Sequence, residues 1–426
     1  MDTGPHPARR GGPAADVLRP DRAAPPVISD RLPTLGASPA TLPRGRRLLG
    51  EALARPSLPA LLGLVVVVAF FGVQAPALLT AGGLASVLDP AALLGIGGVA
   101  VALLLIAGQF DLSIGVTAVA TSLLTALLIE RAGWNTWAAL AGSLAAAVVV
   151  GLVNGFLVVN TGLPSFLVTL ATFLVLQGAS QTGVEALAGS LAAAVVVGLV
   201  NGFLVVNTGL PSFLVTLATF LVLQGASQTG VEALAGSARV TGLDGAPGWA
   251  VAEQVFASTL HVGEGRFRVS LLWWVALTAL ASWALWRTRF GNAVFASGGA
   301  RRAARQLGVP VRRTTLTLFC LTAAAGWLIG TFGLVRLDGV QVGAPGLGAA
   351  VDFVVVAVIG GCLLTGGYGS AIGAAIGALV YAVARQGIAL AGWNAPWFQV
   401  FLGVLLLLAL LTNGIVRSRL KAVPRS

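Results

Sequence analysis

The chain has 426 residues, of which 57% are hydrophobic and 10% charged, with a mean hydropathy of +0.91. Soluble globular chains need roughly 25% charged residues to cover their surface, so a water-soluble domain is excluded and most of this surface must meet lipid. The 26 basic residues against 15 acidic ones give +11, but the positive charge sits in three short segments between apolar runs rather than in a stripe on a folded domain, which excludes a nucleic-acid binder.

In chain order, residues 1–56 hold nine Arg and five acids in a Pro- and Ala-rich stretch without apolar periodicity, and read as a disordered basic tail. Apolar runs follow near 58–74, 90–108, 112–130, 138–159, 166–181, 187–206, 213–228, 270–286, 314–334, 348–366, 369–389 and 396–414. Each approaches the length of about 20 residues that crosses a hydrocarbon core of about 30 Å. They predict an all-α polytopic membrane helix bundle over 57–414 with about twelve spans. Residues 287–313 hold seven Arg and no acid, and the tail 415–426 holds three Arg and Lys421. Short Arg-rich segments stay on the cytoplasmic side, so both termini and 287–313 are expected inside, and an even number of spans agrees. The polar stretch 238–269 then falls outside, where Asp244, Glu253 and Glu264 balance its three Arg.

Residues 139–190 are identical to 186–237, an offset of 47 without a mismatch over 52 positions. Internal repeats that carry structural symmetry are weak and divergent. Two tandem units, 139–185 and 186–232, each with two apolar runs, therefore read as a recent duplication or an assembly error. Two added spans preserve the sidedness of everything downstream, while two identical hairpins compete for one place in the bundle.

The inventory of reactive side chains is short. Cys320 and Cys362 lie in apolar runs, where a thiol behaves as a small hydrophobe, and His6 and His261 are the only histidines. No metal site and no catalytic residue is assembled from this set. A phosphate-binding P-loop needs a Gly-Lys-[Ser/Thr] sequence, whereas the single lysine, Lys421, is followed by Ala422. Any ATP-driven work belongs to another polypeptide.

Polar residues inside the apolar runs are the candidates for function. Asp111 opens the third run, followed by Ser113; it either caps the helix behind it or contacts a polar solute. Asn154, Phe166 and Thr169, with their duplicates Asn201, Phe213 and Thr216, lie in runs broken by Gly-Leu-Pro-Ser at 162–165 and 209–212. Such broken segments point toward a pathway, and the competing reading is hydrogen bonding between helices, worth about 1 kcal/mol each. The glycines at 369, 373 and 377, spaced by four, permit close helix packing. Within 287–313, Gly298-Gly299 is expected to break the chain, and Ala300 to Leu307 to form a short helix stopped by Gly308 and Pro310.

That segment resembles the "GR.iyAiGGN..AA.lsGi.v" loop in permease subunits of bacterial sugar importers of the ATP-binding-cassette class, of the ribose, xylose and inositol type. Phe290, Gly291, Ala296, Gly298, Gly299, Ala303, Ala304, Arg305, Gly308 and Val309 carry the match. Residues 108–115 are similar to that family's "GGIDLSVG", and 151–172 and 352–373 resemble two further stretches in the same order. The resemblance implies about ten spans of about 20 residues each, so the added unit is the departure. It implies that 287–313 is a coupling loop held by an ATPase subunit, with Gly291, Gly298, Gly299, Arg301, Arg302, Ala303, Ala304, Arg305 and Gly308 as its working residues. It further implies ATP and Mg on that partner with no cofactor in this chain, an extracytoplasmic sugar-binding protein, a permease homodimer and a bacterial plasma-membrane location. A branched-chain amino-acid permease of the same architecture and an ion-coupled secondary transporter are the alternatives.

Overall fold

The computed structural model describes residues 57–182, 239–341 and 346–422. The second copy of the repeat, with its Asn201, Phe213 and Thr216, and the tail 1–56 lie outside the described residues.

The first five helices are α1 (Ser57–Gln74), α2 (Ala81–Ile106), α3 (Ser113–Glu130), α4 (Thr136–Thr161) and α5 (Ser165–Thr182). Strand β1 (Arg239–Thr241), helix α6 (Trp249–Phe256) and a hairpin of β2 (Thr259–Val262) and β3 (Gly265–Arg268) follow. Next come α7 (Ser270–Arg287), α8 (Arg289–Gly299), α9 (Arg301–Gln306) and α10 (Val311–Leu337). Strand β4 (Gly339–Gln341) pairs antiparallel with β1, and α11 (Gly346–Ile359), α12 (Ala371–Leu390) and α13 (Pro396–Ala422) complete the chain. Six of these helices, α1, α2, α3, α4, α10 and α12, are long and apolar enough to cross a membrane by length and composition, and α5, α11 and α13 contain shorter apolar stretches. The molecule is an all-α polytopic membrane bundle.

Successive helices alternate between two ends. At the hairpin end lie the hairpin itself, the β1–β4 pair, α6 and the turns before α2, α4, α11 and α13; at the basic end lie α8, α9 and the breaks at 107–112, 162–164 and 360–370. Local chemistry sets the boundaries. Thr80, Asn135 and Ser370 cap α2, α4 and α12 by accepting from Gly83 N at 3.1 Å, Ala138 N at 2.8 Å and Gly373 N at 2.8 Å. At the far end of α10, Asp338 takes a left-handed conformation (φ 44°) and its Oδ1 accepts from Leu243 N at 3.0 Å, stitching the end of the helix to the β1 loop.

Three boundaries differ from the expected ones. The second span starts at Ala81 rather than 90, because the helix runs through Pro90 and its neighbour Asp89 is neutralised by arginines. The run 348–366 is not one helix: α11 stops at Ile359, and Gly361, Gly366 and Gly367 all take positive φ in the loop that leads to α12. Helix α13 also continues through 415–422, where the tail was expected to begin.

The core forms where small residues let backbones touch. Helix α10 lies along α4 and α3, and α12 along α2 and α1. A Cβ on Gly151 of α4 would stand 2.7 Å from the Phe319 carbonyl oxygen of α10, so this crossing tolerates no larger residue. Gly373 and Gly377 of α12 press on Gly360 and Val356, so the four-residue glycine spacing serves a contact inside the bundle. Both cysteines are free.

The hairpin end is pinned by charge. Asp89 of α2 accepts from Arg336 of α10 at 2.9 Å and pairs with Arg268 of β3 at 3.3 Å, and Arg336 also donates to Ser270 Oγ at the start of α7 at 2.7 Å. One carboxylate thus joins three helices and the hairpin. Removing it leaves Arg336, with a side chain only 9% exposed, without its counter-charge. Asp89→Ala is expected to lower stability by about 1–3 kcal/mol, read as a fall in the melting temperature of the detergent-solubilised protein, and Asp89→Asn, which keeps an acceptor, to lose less.

Candidate functional site

The basic end carries the residues singled out from sequence. Thr288 caps α8 by accepting from Gly291 N at 3.2 Å, and the helix then buries Gly291, Ala293, Val294 and Ser297 on one face. Gly291 sits against the carbonyls of Ala284 and Leu285 at the end of α7, so the approach of the two helices there leaves no room for a side chain. The helix runs on through Gly298 and Gly299 and breaks only at Ala300 (φ −152°, ψ 71°), two residues later than expected. Gly298 lacks the side chain that would stop it: a Cβ there would collide with the Ile106 carbonyl and lie 2.6 Å from Gly367 N. At Gly299, by contrast, a Cβ would find nothing nearer than Gly367 Cα at 3.9 Å. The sensitive glycine of the pair is therefore Gly298.

Helix α9 is short and mostly solvent-facing. Arg302, Ala303, Arg305 and Gly308 are exposed, while Ala304 turns inward. Gly308 takes φ +77° and the Val309 N–H closes on the Ala304 carbonyl at 3.0 Å, ending the helix as its sequence requires. Arg301 is half-buried, and burial followed by the neighbouring Arg305 lowers its pKa from the ordinary arginine range. Sequence reasoning missed Leu307, an apolar side chain 83% exposed between the arginines and the glycine. Its signal was available: a lone leucine in a segment otherwise made of Arg, Ala, Gln and Gly.

The second constellation lies just behind this loop, where α2 ends and α3 begins. Asp111 Oδ1 accepts from Ser113 N at 2.7 Å and from Ser113 Oγ at 2.6 Å, which satisfies the first amide of α3 from one position ahead of the cap residue, Leu112. Asn154 of α4 donates to Ser113 Oγ at 3.0 Å and accepts from Thr172 Oγ1 of α5 at 2.5 Å. The break itself is held by α5: Phe110 N donates to Ser165 Oγ at 2.9 Å and Leu112 N to Thr169 Oγ1 at 3.2 Å. Asp111, Ser113, Asn154 and Thr169, separated by up to 58 positions, thus form one buried network, with Phe166 half-buried beside it. Ser165 and Thr172 were not singled out, although Thr172 follows Thr169 at helical spacing.

One atom in this network is unsatisfied. Asp111 Oδ2 is buried without a hydrogen-bond partner among the described residues. A buried carboxylate with one oxygen unpaired costs free energy that another arrangement of the same residues, or a polar solute, would recover. A shallow cavity of about 220 Å³ lies at the opposite end of α3, between Glu130, Trp134 and Pro247, so it offers Asp111 nothing.

Comparison with known proteins decides the family. Residues 83–190 and 181–410 match the family model described as branched-chain amino acid transport system / permease component. The chain belongs to that family. The two matched stretches overlap at 181–190, across the junction between the identical units, which is where a duplicated segment would divide a permease in two. Three relatives of this permease are the probable ABC transporter permease protein YphD of Escherichia coli (strain K12), 35% identical over 151 residues, the fructose import permease protein FrcC of Rhizobium meliloti, 32% over 169 residues, and the xylose transport system permease protein XylH of Escherichia coli (strain K12), 34% over 135 residues. The matched stretches cover 35%, 38% and 31% of this chain and 45%, 45% and 34% of the relatives, so less than half the length of each relative is spanned. No solved structure matches.

Replacing Asn154 by Ala removes two hydrogen bonds, to Ser113 Oγ and from Thr172 Oγ1, while leaving those hydroxyls Asp111 and the Val168 carbonyl, and is expected to cost about 1–3 kcal/mol of stability. Melting temperatures of Asn154→Ala and of the same change at the duplicate Asn201 check this, and the larger loss identifies the copy whose asparagine is buried.

Proposed function

We propose that this chain is the membrane-spanning permease subunit of an ABC importer that carries a monosaccharide across the bacterial plasma membrane. ATP and Mg are bound and used by a separate ATPase subunit, an extracytoplasmic binding protein delivers the sugar to the hairpin end, and two copies of the chain enclose the path. The observation that carries this reading is α9, a short basic helix presented outward at one end of an apolar bundle, with Leu307 as an exposed apolar knob and Arg302 and Arg305 beside it. An apolar knob with a basic rim suits a cleft lined by apolar and acidic side chains on a soluble partner. The positive charge of 287–313 supports a cytoplasmic basic end, with both termini on that side.

The names of the relatives, fructose and xylose permeases, support a sugar over the branched-chain amino acid in the family's description. The Asp111 network then supplies the polar groups of the pathway: carboxylate, hydroxyl and amide are the donor and acceptor types that exchange hydrogen bonds with sugar hydroxyls, and the buried Oδ2 has no hydrogen bond to give up among the described residues.

Reconstituted with its cognate ATPase and binding protein, the chain is expected to support ATP hydrolysis stimulated by a pentose or hexose and not by leucine or valine; stimulation by the amino acids alone would overturn the sugar reading. Leu307→Asp is expected to weaken ATPase-subunit binding by about tenfold or more, about 1.4 kcal/mol, in a titration of the solubilised protein, and unchanged binding would remove α9 as the docking element.

A further inference from the structure

Three elements meet at the basic end without a side chain between them. The C-terminal turn of α8 lays Gly298 on the end of α2, where its missing Cβ would overlap the Ile106 carbonyl. From the other side the 360–370 loop brings in Gly366, whose Cβ would stand 2.8 Å from Gly108 Cα and 3.0 Å from Gly298 Cα, and Gly367 N donates to the same Ile106 carbonyl at 2.7 Å. Gly108, Gly366 and Gly367 all take positive φ, so a side chain is excluded there by backbone conformation as well as by space.

We propose that Gly298, Gly108 and Gly366 form a positioning joint that passes displacement of the α8–α9 loop to the Asp111 network; this rests on the proposed ATP-driven reading for the source of the displacement. Backbone packed on backbone has no rotamer to absorb a shift, whereas a contact between long side chains does. From Gly108 the route is covalent and short. Phe110 and Leu112 hang from Ser165 and Thr169 of α5, and Asp111 is held through Ser113 to Asn154 of α4. Movement of Gly298 therefore reaches α4 and α5 through hydrogen bonds at 2.6–3.2 Å. The receiving end is poised for a second arrangement, since Asp111 Oδ2 has no hydrogen-bond partner among the described residues in this one. Gly298, Gly108 and Gly366 act here as positioning residues: none needs to touch the transported solute.

The test is amide hydrogen exchange of the full chain purified alone, which needs no ATPase. Gly298→Ala is expected to speed exchange across 106–113 and also across 165–172 of α5, while Gly333→Ala, at a glycine with nothing within 4 Å, leaves both segments as in the parent. Faster exchange confined to 106–108 and 366–367 would overturn transmission, because the disturbance would then stop at the contact. In the complex with the ATPase, Gly298→Ala is expected to keep ATP hydrolysis and lose sugar uptake at least tenfold; uptake equal to the parent would overturn the proposal. If the parent complex shows no sugar-dependent ATP hydrolysis, it is the importer reading that fails, and the exchange result still judges the joint. If Gly298→Ala does not insert, spin labels at the exposed positions Arg302 and Leu364, with Cys320 and Cys362 replaced by Ala, take its place. Their separation is expected to stay the same in nucleotide-free and ATP-bound complexes, and a change between the two would overturn the joint.

Discussion

A backbone that leaves the helical path inside a lipid bilayer must find partners for its freed N–H and C=O groups, because no water is there to take them. This bundle breaks its helices at 107–112 and 360–370, and the breaks satisfy each other. Gly367 N pairs with the Ile106 carbonyl, Phe110 and Leu112 N–H groups go to hydroxyls of α5, and Ser113 N goes to Asp111. Together they form one compact knot. The demand for glycine follows, since three segments of main chain can converge on a single carbonyl only if no Cβ stands in the way.

The two ends of the bundle are closed by different physics. At the hairpin end, the Asp89 carboxylate holds Arg268 and Arg336 in a partly exposed cluster. At the basic end the closure is backbone against backbone, which resists separation but transmits rotation and sliding.

Much of the fold was legible from hydropathy. The apolar runs mark the helices because each must bury or immerse an apolar surface of span length, and the Arg-rich loop marks one end. The candidate polar residues were legible one by one for the same reason: Asp111, Asn154 and Thr169 are conspicuous in lipid-facing composition. Their convergence was not, because it depends on how α3, α4 and α5 pack, and packing distances between residues 41 and 57 positions apart leave no local trace. The start of α2 was misplaced because Asp89-Pro90 reads as a break until Arg268 and Arg336, far along the chain, supply the compensation. Gly298 and Gly299 looked equivalent in sequence, and only the position of the Ile106 carbonyl separates them. The tandem repeat offered two identical sets of candidates, and the described residues hold the first.

The most direct test of the glycine knot is an electron cryomicroscopy map of the chain bound to its ATPase in nucleotide-free and ATP-bound states. The account predicts that Gly298, Gly108 and Gly366 remain in van der Waals contact in both maps while α4 and α5 shift relative to α2. A map in which α8 separates from the 106–112 break, with lipid, water or a side chain between them, would contradict it.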